Sequence, residues 1–306
     1  MSAITLHNIT KTYSKGKIHA VDNVSFEVNK GELFGLIGPD GAGKTSIFRV
    51  LTTLLLPDGG TANVDGSDIV KDYKAIRNHV GYMPGRFSLY QDLTVEENLN
   101  FFATLFGTTI QENYDLIKDI YMQIEPFKTR RAGKLSGGMK QKLALCCALI
   151  HKPTVLFLDE PTTGVDAVSR KEFWDILKRL KEQGITILVS TPYMDEATLC
   201  DRIAFIQTGK ILSIDTPVNI VKAYSGNLYA VKSDAIHKLP NDLRKYENTL
   251  SCFAFGEYMH ITFKNNETDN STALINYLRE KGHSGIELKQ VDPTIEDCFI
   301  NKILKQ

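Results

Sequence analysis

The 306-residue sequence carries 36 basic and 36 acidic residues, a formal charge of +0. That balance excludes a broad electrostatic grip on nucleic acid, which needs a basic face. Five cysteines, Cys146, Cys147, Cys200, Cys252 and Cys298, form no C-x-x-C pair, so buried reduced thiols are expected rather than a zinc ribbon or disulfide framework. Residues 4–9 alternate and predict a strand. Tyr13 follows in a polar loop, 11–17, where an aromatic ring can stack on a base or cover local apolar surface. Residues 24–28 alternate again, 30–32 turn, and 33–37 form a short apolar run of the buried-strand kind.

The next eight residues are Gly38, Pro39, Asp40, Gly41, Ala42, Gly43, Lys44 and Thr45, with the spacing G-x-x-x-x-G-K-[ST]. Ser46 opens a stretch, 46–51, with helical spacing. Strand, loop and helix together make a phosphate site. Glycines let backbone N–H groups wrap an anion, and the helix offers its positive end. Lys44 supplies a point charge, and the Thr45 hydroxyl can ligate Mg²⁺.

Beyond it, 57–60 is a strong turn, 61–66 an expected edge strand, and 80–84 a strand ended by proline. Thr94 and Glu97 fit a capping box. Helical periodicity then continues to about Ile124, broken near Gly107. Residues 135–141 (Leu-Ser-Gly-Gly-Met-Lys-Gln) read as a glycine turn feeding a helix from Lys140 to about Ile150. Ser136 and that helix start make a second anion site. Residues 155–158 are four consecutive apolar residues ending in Asp159 and Glu160. This predicts a buried parallel strand delivering two acids at its carboxyl end, where α/β sheets bind ligands. Asp159 suits Mg²⁺ or its water shell, and Glu160 suits the polarisation of an attacking water.

In kind and order these stretches resemble the nucleotide-binding subunit of an ATP-binding cassette (ABC) transporter, over about residues 1–220. The resemblance rests on the loop at 38–45, the LSGG signature at 135–141, the strand ending in Asp159-Glu160, and the D-loop Thr163-Gly164-Val165-Asp166. It implies an α/β P-loop NTPase cassette: a RecA-like core with an antiparallel β subdomain and a helical subdomain at about 86–150. It implies ATP and Mg²⁺ as ligands, held by Tyr13, residues 38–46 and Asp159, with Glu160 catalytic. It implies a homo- or heterodimer in which Ser136, Gly137, Gly138, Gln141 and Asp166 complete the partner's site. The stretch 161–166 and the ending 296–300 look most like the bacterial ABC-2-type exporter branch, which handles drugs and other amphipathic cargo. Integral-membrane permease subunits follow as partners, and the groove that receives them would involve residues 86–93.

Two positions depart from the family. Gly85 stands where the family has a glutamine that helps ligate Mg²⁺ and sense the γ-phosphate. Pro192 stands where it has a histidine, and proline has neither a polar side chain nor an N–H. Either Arg86 or Tyr193 must stand in, or the chain binds ATP firmly and hydrolyses it slowly. A silent ATP-binding partner that completes another subunit's site is the rival reading, and Glu160 argues against it. A chromosome-maintenance ATPase would need a long heptad insertion, and a ribosome-associated cassette protein a second cassette.

Past Pro217 the pattern changes. Expected are a strand at 228–232, a helix within 233–246, a hairpin at 250–263, a helix at 272–281, a strand at 285–289 and a helix at 294–304. That order suggests a small α+β ferredoxin-like domain over 221–306, regulatory or dimer-supporting. His237, His260 and His283 read as ordinary surface or strand histidines without metal-ligand spacing. Residues 1–6 lack a secretion signal, and the longest apolar run, 143–150, falls far short of the roughly 20 residues that span a bilayer. A membrane role is therefore expected from the cytoplasmic face, through a partner.

Overall fold

Strands β1 (Ser2–Tyr13) and β2 (Ile18–Asn29) form a long antiparallel hairpin. The computed structural model, which describes residues 1–265 and 270–304, carries the polar stretch 11–13 into β1 instead of a loop. Asp58 is the reason. Its carboxylate accepts from Lys11 Nζ at 2.6 Å, the Thr12 N–H at 2.7 Å and Thr12 Oγ1 at 2.8 Å. Polar groups that find partners within a sheet have no need to leave it.

Strand β3 (Leu33–Ile37) is buried throughout and leads by the 38–43 loop into helix α1 (Lys44–Leu51). Strands β4 (Gly59–Val64) and β5 (Ser67–Asp68) follow. They extend the hairpin into a sheet ordered β2-β1-β4-β5. The stretch expected as an edge is therefore interior, because two residues of β5 cap it. Helix α2 (Tyr73–His79) precedes β6 (Val80–Met83). Three helices come next: α3 (Val95–Leu105), α4 (Tyr114–Tyr121) and α5 (Gly137–Leu149). The capping box at Thr94 and Glu97 is complete, with bonds of 3.1 and 2.8 Å.

The chain then returns through β7 (Val155–Asp159), α6 (Ala167–Glu182), β8 (Thr186–Thr191), β9 (Arg202–Gln207) and β10 (Lys210–Asp215). The second sheet runs β10-β9-β3-β8-β7-β6. All its neighbours are parallel except the edge strand β10. Strands β3, β7 and β8 are buried on both faces, which is why β3 and β7 read as nearly continuous apolar runs and β8 has an apolar centre. Their carboxyl ends lie side by side and carry the 38–43 loop, Asp159 and the 190–192 turn. The antiparallel sheet, the parallel core and the helices 95–149 are the three parts of an α/β P-loop cassette.

Helix α7 (Pro217–Lys222) spans the division between two units, Met1–Asn219 and Ile220–Leu304. The second holds β11 (Leu228–Lys232), α8 (Leu239–Lys245), β12 (Thr249–Phe255), β13 (Tyr258–Phe263), α9 (Asn270–Glu280), β14 (Glu287–Val291) and α10 (Ile295–Leu304). Its antiparallel sheet is ordered β12-β13-β11-β14, the ferredoxin-like arrangement. Residues 266–269 and 305–306 of the expected C-terminal domain lie outside the described residues.

Three expectations change in this unit. The helix foreseen within 233–246 occupies only its last part, because Ser233 and Asp234 are held by His283 and Ser284. The last strand starts at Glu287, since Gly285 takes φ +58° with its Cα against Asp234. His260 is a strand histidine, as expected, though buried, whereas His283 is buried and lies in no strand. His260 Nδ1 meets Asp297 Oδ1 at 2.8 Å, and its ring stacks on Phe255 at 4.2 Å. His283 bridges Ser233 Oγ at 2.9 Å and Asp242 Oδ2 at 3.0 Å. Asp297 also receives the Thr294 N–H and Oγ1 at 2.9 and 2.7 Å, so one carboxylate starts α10 and anchors β13. Asp297→Ala removes a cap and strands a buried imidazole. It is expected to cost about 1–3 kcal/mol in the unfolding of this unit, read as a lower melting transition with nucleotide binding intact.

Candidate functional site

The loop 38–43 is held from behind. Gly38 N–H donates to Thr191 O at 3.3 Å, and Gly209 N–H to Ala42 O at 2.9 Å. A Cβ on Gly38 would strike the Ile206 carbonyl, and one on Gly43 the Ala20 carbonyl. Gly41 is different: at φ +77° it meets nothing, and its backbone faces outward. Two glycines are thus dictated by close packing behind the loop, and the third by the backbone turn itself. No side chain caps α1 at Gly43, so the first-turn N–H groups keep no side-chain acceptor. Pro39 is half-buried, Asp40 exposed and Ala42 buried; Thr45 and Ser46 are half-buried in the first turn.

Lys44 is buried at 3 % exposure. It donates to Gly38 O at 2.8 Å and Pro39 O at 3.0 Å, and pairs with Glu160 Oε1 at 3.0 Å. Two of these contacts are hydrogen bonds and the third is an ion pair. Tyr13 ends β1 half-exposed, with its hydroxyl 3.2 Å from Ser46 Oγ.

Asp159 closes β7, and Glu160 takes a left-handed turn at φ +52°. The Glu160 N–H donates to Ser190 O at 3.1 Å and Ser190 Oγ at 3.0 Å. Ser190 Oγ in turn donates to Asp159 Oδ1 at 2.7 Å. A Cβ on Gly85 would stand 3.0 Å from Asp159 O and 3.8 Å from Asp159 Oδ2, so the second carboxylate oxygen faces a position without a side chain. The turn after β8 is tied elsewhere. Thr191 Oγ1 donates to Glu196 Oε2 at 2.5 Å and accepts from the Tyr193 N–H at 3.0 Å. The Tyr193 ring lies under the Arg170 guanidinium of α6 at 4.9 Å.

The signature differs from expectation in where its helix starts. Ser136 is the N-cap and accepts from the Met139 N–H, so Gly137 and Gly138 form the first turn of α5. Glycine is a poor helix former, which makes this stretch read as a turn. Packing decides otherwise: a Cβ on Gly138 would come within 2.7 Å of Ser169 Oγ, and one on Gly137 within 3.3 Å of Gly164 O. Gln141 is half-buried one turn on. Asp166 caps α6, its Oδ1 accepting from the Val168 and Ser169 N–H groups at 3.1 and 3.0 Å. Those bonds, the Ser169 ones first, hold its carboxyl below the ordinary carboxylate value.

The residues singled out in the sequence therefore form two clusters. Tyr13, 38–46, Asp159 and Glu160 gather at one end of the parallel sheet. Ser136–Gly138 gather with Gly164 and Asp166. Among the described residues no side-chain hydrogen bond or ion pair joins the clusters. Ser190 was not foreseen as part of the first; a polar Ser-Thr pair ending an apolar strand was the available signal.

The metal ligands expected in the first cluster, the Asp159 carboxylate and the Thr45 hydroxyl, are both oxygen donors. No group of three or more His, Cys, Asp or Glu that can hold a metal occurs among the described residues. This fits Mg²⁺, which takes few protein ligands and completes its shell with phosphate and water.

Comparisons with known proteins bear on the family and the fold. The ABC transporter family model matches residues 21–163. The probable multidrug ABC transporter ATP-binding protein YbhF of Escherichia coli K12 is 41% identical over 228 residues, 74% of this chain and 39% of that protein. The chain thus spans about two fifths of that relative's length. Nod factor export ATP-binding protein I of Burkholderia lata is 34% identical over 311 residues, covering 98% of this chain and 96% of that protein. A dimeric ATP-binding cassette, MJ0796 in a post-hydrolysis state bound to ADP and Pi, superposes with TM-score 0.63 at 26% identity, covering 70% of this chain and 98% of that one. The chain belongs to the ABC transporter family, among its ATP-binding proteins.

Proposed function

We propose that the chain is the nucleotide-binding subunit of a membrane exporter for drug-like or other amphipathic cargo, and that its own ATP site turns over slowly. The observation carrying this reading is the buried Lys44, set between the loop carbonyls and Glu160 beside the open first turn of α1. Backbone N–H groups and Lys44 bind the phosphates, and Tyr13 offers a face to the base. Thr45 and Asp159 would hold Mg²⁺, which neutralises phosphate charge when bound. Glu160 orients and polarises the attacking water. Ser136, Gly137, Gly138, Gln141 and Asp166 serve a second cassette's ATP.

The slow rate follows from Gly85 and Pro192. The Tyr193 ring and N–H are engaged by Arg170 and Thr191. The same observation favours the second reading, a subunit that only completes its partner's site. Turnover separates them. The purified chain is expected to release phosphate slowly, and Glu160→Gln to abolish that release. A rate unchanged in Glu160→Gln assigns the chain the silent role.

Docking to a permease subunit is supported by a groove of about 440 Å³ lined by Leu54, Met83, Pro84, Leu89, Phe102 and Leu105. The neighbouring loop is shaped by Asn98, fully buried, which accepts from the Tyr90 N–H at 3.1 Å and donates to Tyr90 O at 3.0 Å. Leu89 is thereby turned inward and Tyr90 left exposed. Burial holds the His151 imidazole, which also lines the groove, below its ordinary value. No helix among the described residues is long and apolar enough to cross a membrane. A peripheral position on the cytoplasmic face, through the permease, is part of the proposal. The second unit is proposed to regulate or support the dimer.

A further inference from the structure

We propose that Ser190 is a positioning residue that aims both acids of the site, Asp159 at the metal and Glu160 at the attacking water. This rests on the reading of the site as a MgATP site. Ser190 is fully buried in β8, in register with Asp159 across the parallel pairing with β7. Its hydroxyl has one proton, and that proton goes to Asp159 Oδ1 at 2.7 Å. A hydroxyl lone pair receives the Glu160 N–H at 3.0 Å, and the Ser190 carbonyl receives the same N–H at 3.1 Å. One residue therefore touches the side chain of one acid and the backbone of the next.

Each contact has a distinct consequence. Fixing Oδ1 removes the rotational freedom of the Asp159 carboxylate and leaves Oδ2 as its free oxygen, on the side of Gly85. Holding the Glu160 N–H keeps that residue at φ +52°, a region a non-glycine residue visits only when its surroundings impose it. That backbone turn is what brings the Glu160 carboxylate to within 3.0 Å of Lys44 Nζ. Gly85 contributes no side chain opposite, so Ser190 is the one side-chain donor to Asp159 among the described residues. Partners of ligating carboxylates typically change metal affinity 10–100-fold when removed.

The test is ADP binding to the full chain by titration calorimetry, with Mg²⁺ varied, alongside steady-state turnover. Ser190→Ala is expected to bind ADP without metal within about twofold of the parent. It is expected to need about tenfold more Mg²⁺ for the metal-dependent part of binding, and to lose kcat more than KM rises. Ser190→Thr keeps the hydroxyl and is expected to restore the Mg²⁺ requirement to within about threefold. If Ser190→Ala does not fold, Ser190→Cys, with a weak donor of similar size, takes its place and is expected to shift in the same direction. An alanine or cysteine variant with the parent's Mg²⁺ requirement overturns the proposal. So does a threonine variant that folds but behaves like alanine, since the effect is then packing. Failure of the underlying site reading looks different: the parent chain itself would not bind ADP.

Discussion

Lys44→Ala is expected to lower ATP and ADP affinity at least about 10²-fold. Charge-assisted hydrogen bonds contribute about 1.5–3 kcal/mol, and a tenfold change in affinity is about 1.4 kcal/mol. Loss of the phosphate contact alone spans that range. Two further losses add to it. Gly38 O and Pro39 O lose the donor that draws the loop closed, and Glu160 faces incoming phosphate with no cation between them. Calorimetry or fluorescent-nucleotide titration measures the change. An affinity within threefold of the parent would remove the phosphate site at 38–45 from consideration.

Pro192→His is expected to act in the opposite direction, raising turnover of the purified chain by up to about 10²-fold. A single preorganised donor at a transition state contributes about 2.7–4 kcal/mol. The turn is prepared to accept the change, because Thr191 Oγ1 already fixes the Tyr193 N–H and Glu196 fixes Thr191. Adding Gly85→Gln is expected to gain less than a second independent factor. Its Cβ would press on the Asp159 carbonyl at 3.0 Å, which the strand end resists. Phosphate release under saturating ATP decides it. A Pro192→His variant no faster than the parent means that completion by another subunit limits the rate, which supports the silent-partner reading.

The parts of the fold legible in the sequence are those written in neighbouring residues. The nearly continuous apolar runs of β3 and β7 announce buried parallel strands, and the loop spacing announces what joins β3 to α1. The same holds for the Thr94 cap and the β12–β13 hairpin. What stayed hidden depends on partners distant along the chain. Asp58 holds Lys11 from 47 residues away, Ser190 holds Asp159 from 31, and Asp297 holds His260 from 37. A histidine's burial, or a serine's second acceptor, has no local signature. Glycines were legible as glycines but not in their causes. Gly38 and Gly43 answer to backbones pressed behind the loop, and Gly138 to a serine on the next helix.

The pairing of the Lys44 ammonium with Glu160 has a consequence for what enters the site. An arriving anion cannot simply add to it; it must trade places with a carboxylate already seated there. A single small anion sets one charged group against that exchange. A polyphosphate chain brings several at once, along the amide groups of the first helical turn. The pairing between Lys44 and Glu160 is thus a contact that an entering polyphosphate must displace.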